Sequence, residues 1–328
     1  MKKLINDVGT VLTESLDGFA AAHAGIVKLG AERKFVQRVK LKSGKVGIVS
    51  GGGSGHEPLH AGFVGHGMLD AACPGQVFTS PTPDQMIAAA EAVDTGAGIL
   101  FVVKNYEGDV MNFDMAREMS GRTIATVITD DDVAVENSLY TTGRRGVAGT
   151  LVVEKIIGSA AERGADIKTL KALGDRVNEA TRSMGVALTS CTVPAAGKPT
   201  FAIGEDEMEM GVGIHGEPGR RRVKLRPARE IAEEMVGAIL GDFDRPGGDA
   251  LLFVNGFGGT PAMELYLVYE NARAILEKTG ARVVRSLVGS YVTSLDMAGC
   301  SITVTKLDGD LAKHWDTAVH TAALRWGM

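Results

Sequence analysis

Apolar runs alternate with amphipathic stretches along the first half of the chain. Residues 1–30 repeat apolar side chains at helical spacing, which predicts an opening amphipathic helix. The runs 45–49, 98–103 and 123–128 are almost entirely apolar and predict buried strands with helical segments between them. This β-α-β-α-β order predicts an α/β fold whose N-terminal domain has a largely parallel, mixed sheet flanked by helices. Ligands of such sheets bind at the loops that follow the carboxyl ends of the strands.

Capping signals and breaker residues divide the chain further. Thr82 is followed by Pro83 and Gln85, a capping box that predicts the start of a helix. Further helices are predicted over 151–161 and 170–184, and a Pro- and Gly-rich stretch then interrupts the pattern. We therefore place a domain boundary there, between an N-terminal α/β domain (1–184) and a smaller C-terminal α/β domain (185–328).

The C-terminal half combines short predicted strands with one long helix. The strands are predicted at 200–203, 208–214, 250–254, 283–288 and 301–306. The segment Asn255-Gly-Phe-Gly-Gly-Thr-Pro261 leads into the long helix, with Thr260 as the predicted N-cap. It is either an anion-binding loop or a region of capping and close packing.

Composition narrows the class of function. Hydrophobic residues make up 45% and charged residues 23%, and the formal net charge is −5, so no overall field favours nucleic acid. Three distant cysteines form neither a disulfide framework nor a zinc motif, which predicts a reducing, cytoplasmic setting. The N-terminus lacks the apolar core of a signal peptide, and the apolar runs are too short to cross a membrane.

The glycine run Gly51-Gly-Gly-Ser-Gly55 follows the first predicted strand. A glycine loop between a strand and a helix can present backbone N–H groups to a ligand, and we favour that interpretation over a plain tight turn. The run does not have the Lys-Ser/Thr of a phosphate loop, and it matches the dinucleotide fingerprint poorly.

His56-Glu57-Pro58-Leu59-His60 formally matches the H-E-x-x-H motif of zinc proteases. That site needs both histidines on one helix face. Pro58 argues against it, since proline is favoured only in the first helical turn and would leave His56 outside the helix. We expect no metal here, interpret His60 as a packed helix histidine, and keep His56 as a ligand candidate.

Two acidic segments follow the next two predicted strands. Lys104 to Asp109 ends the second, and Asp109 is either a base toward a substrate hydroxyl or the N-cap of the following helix. Asp130-Asp-Asp132 ends the third, where a turn with charges favoured by a helix dipole is a better interpretation than a Mg²⁺ site.

His215 lies in the glycine-rich segment Gly211 to Gly219. Small neighbours leave the imidazole accessible, and a neutral imidazole can add to a carbonyl carbon. A turn histidine is the alternative. Glu217 is too close in sequence to be assumed its partner. The run Arg220 to Arg222 is interpreted as a solvated loop rather than a docking patch for an acidic partner.

Taken together, these segments resemble one family essentially from end to end. The segments are Met1 to Asp7, Ser50-Gly-Gly-Gly-Ser-Gly-His-Glu-Pro58, Ala72-Cys-Pro-Gly75, Phe78 to Asp84, Lys104 to Asp109, Asp130 to Val135, Cys191 to Pro199, Gly211 to Gly219, Thr293 to Met297 and Trp326-Gly327. They resemble the substrate-binding K subunit of bacterial dihydroxyacetone kinase. The resemblance implies two α/β domains, usually paired as a homodimer.

The resemblance also implies residue roles. His215 would hold the ketone carbon of dihydroxyacetone as a covalent hemiaminal, and His56 would hydrogen-bond the substrate and help it react. Asp109 would act as base toward the hydroxyl that receives phosphate. Gly53, with Ser54 beside it, and Lys104 would contact the substrate.

By the same resemblance, this chain binds no cofactor itself. ADP or ATP with Mg²⁺ would lie on a separate helical L subunit, since the chain ends at Met328 without that module. A phosphoryl-carrier M subunit would recharge the nucleotide in the phosphoenolpyruvate-dependent type. Two alternatives stay open: a ligand-sensing paralogue that acts as a transcriptional co-activator, and a kinase subunit for another short ketose such as erythrulose.

Overall fold

A computed structural model describes residues 2–134, 143–217, 219–245 and 247–328. Met1, Val135 and Pro218, which belong to the quoted motifs, lie outside the described residues. The described helices are α1 (Val11–Ala22), α2 (Pro83–Val93), α3 (Glu107–Met119), α4 (Gly149–Glu162), α5 (Ile167–Glu179), α6 (Ala228–Gly241), α7 (Ala262–Lys278) and α8 (Gly309–Asp316). Within the described ranges, no helix combines the length and apolar character needed to span a membrane.

The strands fall into three sheets. They are β1 (Val27–Leu29), β2 (Val36–Arg38), β3 (Gly47–Ser54), β4 (Gly65–His66), β5 (Ala71–Val77), β6 (Ile99–Lys104), β7 (Ile124–Thr129), β8 (Thr181–Ala187), β9 (Glu207–Met210), β10 (Arg221–Lys224), β11 (Gly248–Gly256), β12 (Ala281–Gly289), β13 (Gly299–Lys306), β14 (Val319–Thr321) and β15 (Arg325–Trp326). Most of the predicted strands and helices are therefore present, with shifted ends.

The first sheet has the order β1-β2-β5-β3-β6-β7 and is mixed, as predicted. Strands β5, β3, β6 and β7 run parallel, whereas β1 and β2 are antiparallel additions at one edge. The carboxyl ends of β3 and β6 lie side by side, because Ser50 pairs with Val102. The segments that follow these two strands carry His56 and Asp109, so the parallel pairing brings the two segments to one edge.

The second sheet has the order β10-β9-β8-β13-β11-β12 and is mostly antiparallel. Its first strand in the chain, β8, begins at Thr181, so the predicted boundary between residues 184 and 185 lies inside that strand. The last strands, β14 and β15, form the third sheet with β4 from the N-terminal half. The division into two domains at residue 184 stays a prediction.

Helix α4 is buried along its whole length and packs against strands of both large sheets. It contacts β3, β6 and β7 of the first sheet and β8 and β13 of the second. Its apolar side chains join one large core cluster that contains residues from both halves of the chain. A helix with apolar side chains on several faces is typical of a buried position. The charged side chains Glu154, Lys155 and Glu162 are buried with them.

Several local predictions were wrong, and each has a physical reason. The glycine run is mostly strand, because β3 continues to Ser54, and no helix starts at Pro58. The glycines of β3 lie where neighbouring atoms leave no room for a side chain: a Cβ on Gly51 would lie 2.7 Å from the Cys73 carbonyl oxygen. Packing against β5 has therefore overridden the weak strand propensity of glycine.

Several other helices and strands begin or end at residues different from those predicted. The helix predicted over 170–184 stops at Glu179, and its last residues belong to β8. Residues 200–203 form no strand, the run Arg220 to Arg222 enters β10, and Pro261 rather than Thr260 is the N-cap of α7. The capping box at Thr82 is confirmed at the start of α2.

Gly158 of α4 tests the close packing of the buried helix. An added Cβ would lie 2.7 Å from the Gly67 carbonyl oxygen and closer still to the Met68 backbone, so Gly158→Ala must displace main chain. We expect a loss of about 1–3 kcal/mol in the free energy of unfolding, measured in urea.

The matched control is Gly237→Ala, at an exposed position of α6 with no atom within 4 Å of the new Cβ. This variant should gain about 0.5–1 kcal/mol, because alanine has the higher helix propensity. Equal effects of the two substitutions would contradict the packing derived for α4.

Candidate active site

A cavity of about 590 Å³ lies where the segment after β6 faces the segment around His215. It is lined by Gly53, Phe78, Ser80, Tyr106, Glu107, Gly108, Asp109, Thr200, Phe201, His215, Gly216 and Glu217. Three of the predicted site residues, Gly53, Asp109 and His215, therefore share one cavity although the chain separates them by up to 162 positions (215 − 53).

Glu217 determines which nitrogen of a neutral His215 carries the hydrogen. The Nδ1 atom of His215 lies 2.9 Å from Oε1 of Glu217, and the backbone N–H of His215 donates to Oε2 of the same carboxylate. Burial raises the pKa of Glu217, but the His215 imidazole and the Arg145 guanidinium outweigh burial and bring that pKa to about 2. An ionised carboxylate only accepts hydrogen bonds, so Nδ1 carries the hydrogen and Nε2 of a neutral His215 keeps its lone pair.

The turn between these two residues explains the short sequence spacing. Gly216 has a φ of +78°, and a Cβ there would lie 2.7 Å from the Thr200 hydroxyl. The chain can thus reverse over a single residue and return the Glu217 carboxylate to the imidazole. The short spacing argues against Glu217 as the partner of His215 at the level of sequence, and the flanking glycines are the signal that identifies the turn.

His56 lies beside His215 rather than on the cavity wall. The two ring centroids are 4.6 Å apart, and Phe78 stacks on His56 at 5.0 Å. The Thr293 carbonyl accepts from Nδ1 at 2.8 Å, which leaves Nε2 as a buried acceptor with no partner among the described residues. Burial, helped by the neighbouring charges of His215 and Lys104, holds the pKa of His56 well below its usual range. His56 is therefore a neutral hydrogen-bond acceptor.

Aromatic rings confine the His215 imidazole. Tyr106 and Phe78 approach it edge-on, with ring centroids 4.7 Å and 5.3 Å away. The sequence analysis assigned no role to either ring. Tyr106 is the N-cap of α3 and follows the buried end of β6, so its position at a strand end was the available signal.

Lys104 and Asp109 form a buried ion pair at the start of α3. Lys104, the last residue of β6, has no exposed side-chain surface, and its Nζ lies 3.1 Å from Oδ2 of Asp109. Asp109 lies in the first turn of α3, and the N-cap is Tyr106, so the capping alternative for Asp109 is excluded. The carboxylate faces the cavity with a cation behind it, a suitable arrangement for accepting a proton from a bound hydroxyl.

Of the neighbouring residues predicted to contact the substrate, Gly53 lines the cavity and Ser54 does not. Gly53 lines the cavity, and a Cβ there would lie 2.6 Å from the backbone nitrogen of Thr79. Ser54 does not line this cavity, and its hydroxyl donates to the Gly75 carbonyl at 2.7 Å. The substrate contacts of Gly53, Ser54 and Lys104 stay predictions.

The acidic run after β7 is structural. Asp131 is buried and accepts from the backbone nitrogens of Val147 and Gly149, at the start of α4. Burial raises its pKa to about 6. Asp132 pairs with the buried Arg145 at 2.6 Å. In the part of the chain that the structure describes, no group of three or more His, Cys, Asp or Glu side chains could hold a metal ion.

Comparison with known proteins identifies the family. The model of the Dak1 domain matches residues 17–323. The chain belongs to the Dak1 family. The dihydroxyacetone-binding subunit DhaK of the phosphoenolpyruvate-dependent dihydroxyacetone kinase of Escherichia coli K12 is 46% identical, and the match covers the whole of both chains. The resemblance inferred from the motifs is therefore confirmed.

Two solved structures share the fold. The dihydroxyacetone kinase of C. freundii, in complex with AMP-PNP and Mg²⁺, matches with a TM-score of 0.88 and 33% identity over 99% of this chain and 61% of that chain. The dihydroxyacetone kinase operon co-activator Dha-DhaQ matches with a TM-score of 0.90 and 32% identity over 94% and 97%. The fold of this Dak1 protein is thus shared by a kinase and by a co-activator.

The ionisation of Glu217 should appear in the stability of the protein. Its folded-state pKa lies below the ordinary glutamate value, so the ionised form stabilises the fold above about pH 5. That contribution should be lost as pH falls through 4 toward 2, by about 3 kcal/mol. Urea unfolding between pH 5 and pH 2 should show a steeper loss for the wild type than for Glu217→Gln. Parallel curves would contradict the lowered pKa described for Glu217.

Proposed function

We propose that this chain is the dihydroxyacetone-binding subunit of a dihydroxyacetone kinase, with His215 as covalent anchor for the ketone. The full-length similarity to the E. coli subunit supports the substrate. The observation that carries the proposal is the Nδ1 bond to Glu217, because it leaves the nucleophilic Nε2 lone pair of a neutral imidazole at the cavity.

The addition step balances without loss of atoms. The Nε2 lone pair forms a bond to the ketone carbon as the π pair of the C=O bond moves to oxygen. That oxygen takes up a proton, and the resulting imidazolium releases its Nδ1 proton to solvent by way of Glu217. The product is a neutral hemiaminal. Glycerol has no carbonyl and cannot form it, so the anchor selects ketones over the corresponding alcohol.

His56 and Asp109 take separate roles in this proposal. The unpartnered Nε2 of His56 accepts a hydrogen bond from the bound substrate, in a site where that acceptor otherwise stays unsatisfied. Asp109 accepts the proton of the hydroxyl that receives phosphate, and Lys104 stabilises the carboxylate and contacts the substrate. Gly53 leaves room for the substrate beside the turn at Phe78 and Thr79.

The phosphoryl donor belongs to a partner in this proposal. We infer that ADP or ATP with Mg²⁺ is held by a separate L subunit, recharged by a phosphoryl-carrier M subunit. The E. coli relative is one subunit of a phosphoenolpyruvate-dependent kinase, which supports this inference. A homodimeric state is proposed from the family resemblance, and a cytoplasmic location from the distant, unpaired cysteines.

The second candidate function is that of a co-activator that senses dihydroxyacetone. The similarity to Dha-DhaQ supports it, since that protein shares the fold along nearly its whole length. The buried Lys104–Asp109 pair at the cavity favours the kinase, because sensing needs no base beside a hydroxyl. Turnover of dihydroxyacetone and erythrulose with an L subunit would decide between these functions and between the two ketoses.

The covalent anchor is tested with dihydroxyacetone labelled with ¹³C at the carbonyl. In the presence of the wild-type chain, the carbonyl resonance should be replaced by that of a tetrahedral carbon bonded to oxygen and nitrogen. His215→Ala should abolish the new resonance. The control is His23→Ala, at the end of α1 and outside the cavity, which should retain it. Persistence of the adduct resonance in His215→Ala, as distinct from that of hydrated dihydroxyacetone free in solution, would overturn the anchor.

The base is tested by Asp109→Asn, assayed with a purified L subunit and its phosphoryl donor. We expect the ¹³C adduct to persist while kcat falls by about 10²–10⁴-fold, since the amide accepts no proton. Asp114→Asn, at a partly exposed position of the same helix, should keep full turnover. Unchanged turnover in Asp109→Asn would exclude the role as base.

A further inference from the structure

Behind the cavity, a line of buried polar groups continues from Asp109 into the protein. Lys104 Nζ lies 3.1 Å from Oδ2 of Asp109 and 3.4 Å from Nε2 of His60. His60 lies in the turn after β3 rather than in a helix, which corrects the sequence-based interpretation. Gly52 leaves the space for this contact, because a Cβ there would collide with the Lys104 ammonium group.

The other nitrogen of His60 faces two oxygens. Oε1 of Glu154, from the buried helix α4, lies 2.6 Å from Nδ1, and the hydroxyl of Ser50 lies 3.0 Å away. The Ser50 hydroxyl donates its single hydrogen to the Val102 carbonyl at 2.7 Å. Ser50 therefore only accepts at Nδ1, and the Glu154 carboxyl decides which nitrogen of His60 carries the hydrogen.

The two states of Glu154 have opposite consequences. An ionised Glu154 accepts from Nδ1–H, so Nε2 of a neutral His60 is an acceptor and can receive a hydrogen bond from the Lys104 ammonium group. A protonated Glu154 donates to Nδ1 and moves the imidazole hydrogen to Nε2. Two donors then face each other at Lys104, and the lysine loses the contact that holds it beside Asp109.

The surroundings of Glu154 make both states accessible near neutral pH. Its side chain is fully buried, and Oε2 has no hydrogen-bond partner among the described residues. Burial, only partly offset by the charge of Lys104, raises the pKa of Glu154 to about 8. Burial and Lys104 hold the pKa of His60 well below its usual range, so His60 stays neutral while Glu154 titrates. His60, Ser50 and Lys104 are the groups that face Glu154 from the turn after β3, from β3 and from β6.

We propose that Glu154 and His60 are positioning residues for phosphoryl transfer, in which Glu154 sets the tautomer of His60 and His60 thereby holds Lys104 as donor to Asp109. The proposal rests on the proposed kinase function. It assigns roles to two buried groups that touch neither the substrate cavity nor the adduct. It makes the kinase step dependent on an ionisation located behind the site and leaves the covalent anchor independent of it.

The tautomer is measured directly in the full chain labelled with ¹⁵N-histidine. Long-range ¹H–¹⁵N spectra distinguish a protonated Nδ1 from a protonated Nε2, and His60→Gln identifies the resonance. Wild-type His60 should carry its hydrogen on Nδ1 well above pH 8 and on Nε2 well below it. A tautomer that stays the same across this range would overturn the proposal. This measurement needs neither the kinase activity nor a variant of Glu154.

The kinetic consequence is measured with Glu154→Gln and the L subunit. The wild-type kcat should rise with pH as Glu154 ionises, whereas the Gln variant should lack this rise. The Gln amide oxygen can accept from Nδ1–H at every pH, so the kcat of the variant should stay near the wild-type value reached above pH 8. The wild-type kcat should fall below that value at lower pH, by a factor on the order of 10² for a misplaced catalytic contact. The ¹³C adduct and KM should change little, because His215 is untouched. A kcat profile in Glu154→Gln that matches the wild type would refute the positioning role.

Glu162→Gln is the matched control. Glu162 is also buried and is the last residue of α4, where it pairs with Arg38, and neither residue lines the cavity. It should reduce stability without changing the pH profile of kcat, so a profile change in both variants would overturn the specific role of Glu154. If the wild-type protein forms no adduct, in contrast, the proposed function is refuted, while the tautomer measurement remains valid.

Discussion

The glycines of β3 impose the constraint on which the site depends. At Gly51, Gly52 and Gly53 a side chain would collide with β5, with the Lys104 ammonium group and with the turn at Phe78 and Thr79, respectively. The bare backbone lets these three groups approach the same stretch of strand from different sides. The lysine, the aromatic wall of the cavity and the substrate space are therefore positioned together by the absence of three side chains.

The tautomer of each histidine near this strand is controlled by one specific neighbour. Glu217 determines which nitrogen of His215 is free, and the Thr293 carbonyl does the same for His56. In a buried site the energetic cost of an unpaired polar group is high, so a single acceptor is enough to select one tautomer. The hydrogen-bonding roles of these two histidines thus follow from neighbouring oxygen atoms, and Glu154 extends the same principle to His60 behind the cavity.

The shared fold with a kinase and a co-activator shows that architecture alone does not decide the function of a Dak1 protein. What favours phosphoryl transfer here is the side-chain arrangement at one strand end. A buried lysine faces a carboxylate that lines the cavity, and the His215 imidazole lines the same cavity. The position of its carboxylate distinguishes this pair from the buried Asp132–Arg145 pair, neither member of which lines this cavity.

The sequence by itself determined three strands of the first sheet (β3, β6 and β7), the capping box at Thr82 and the family. It also singled out His215, His56 and Asp109 as candidates, because apolar periodicity, caps and motif spacing are local properties. Tertiary structure alone decided that the glycine run is a strand, that Glu217 rather than a distant residue orients His215, and that His60 joins Lys104 instead of a helix core. These outcomes depend on which atoms meet from segments as distant as Gly52 and Lys104 or His60 and Glu154. Such encounters are fixed by sheet pairing and by the burial of α4, neither of which leaves a mark within a short window of sequence.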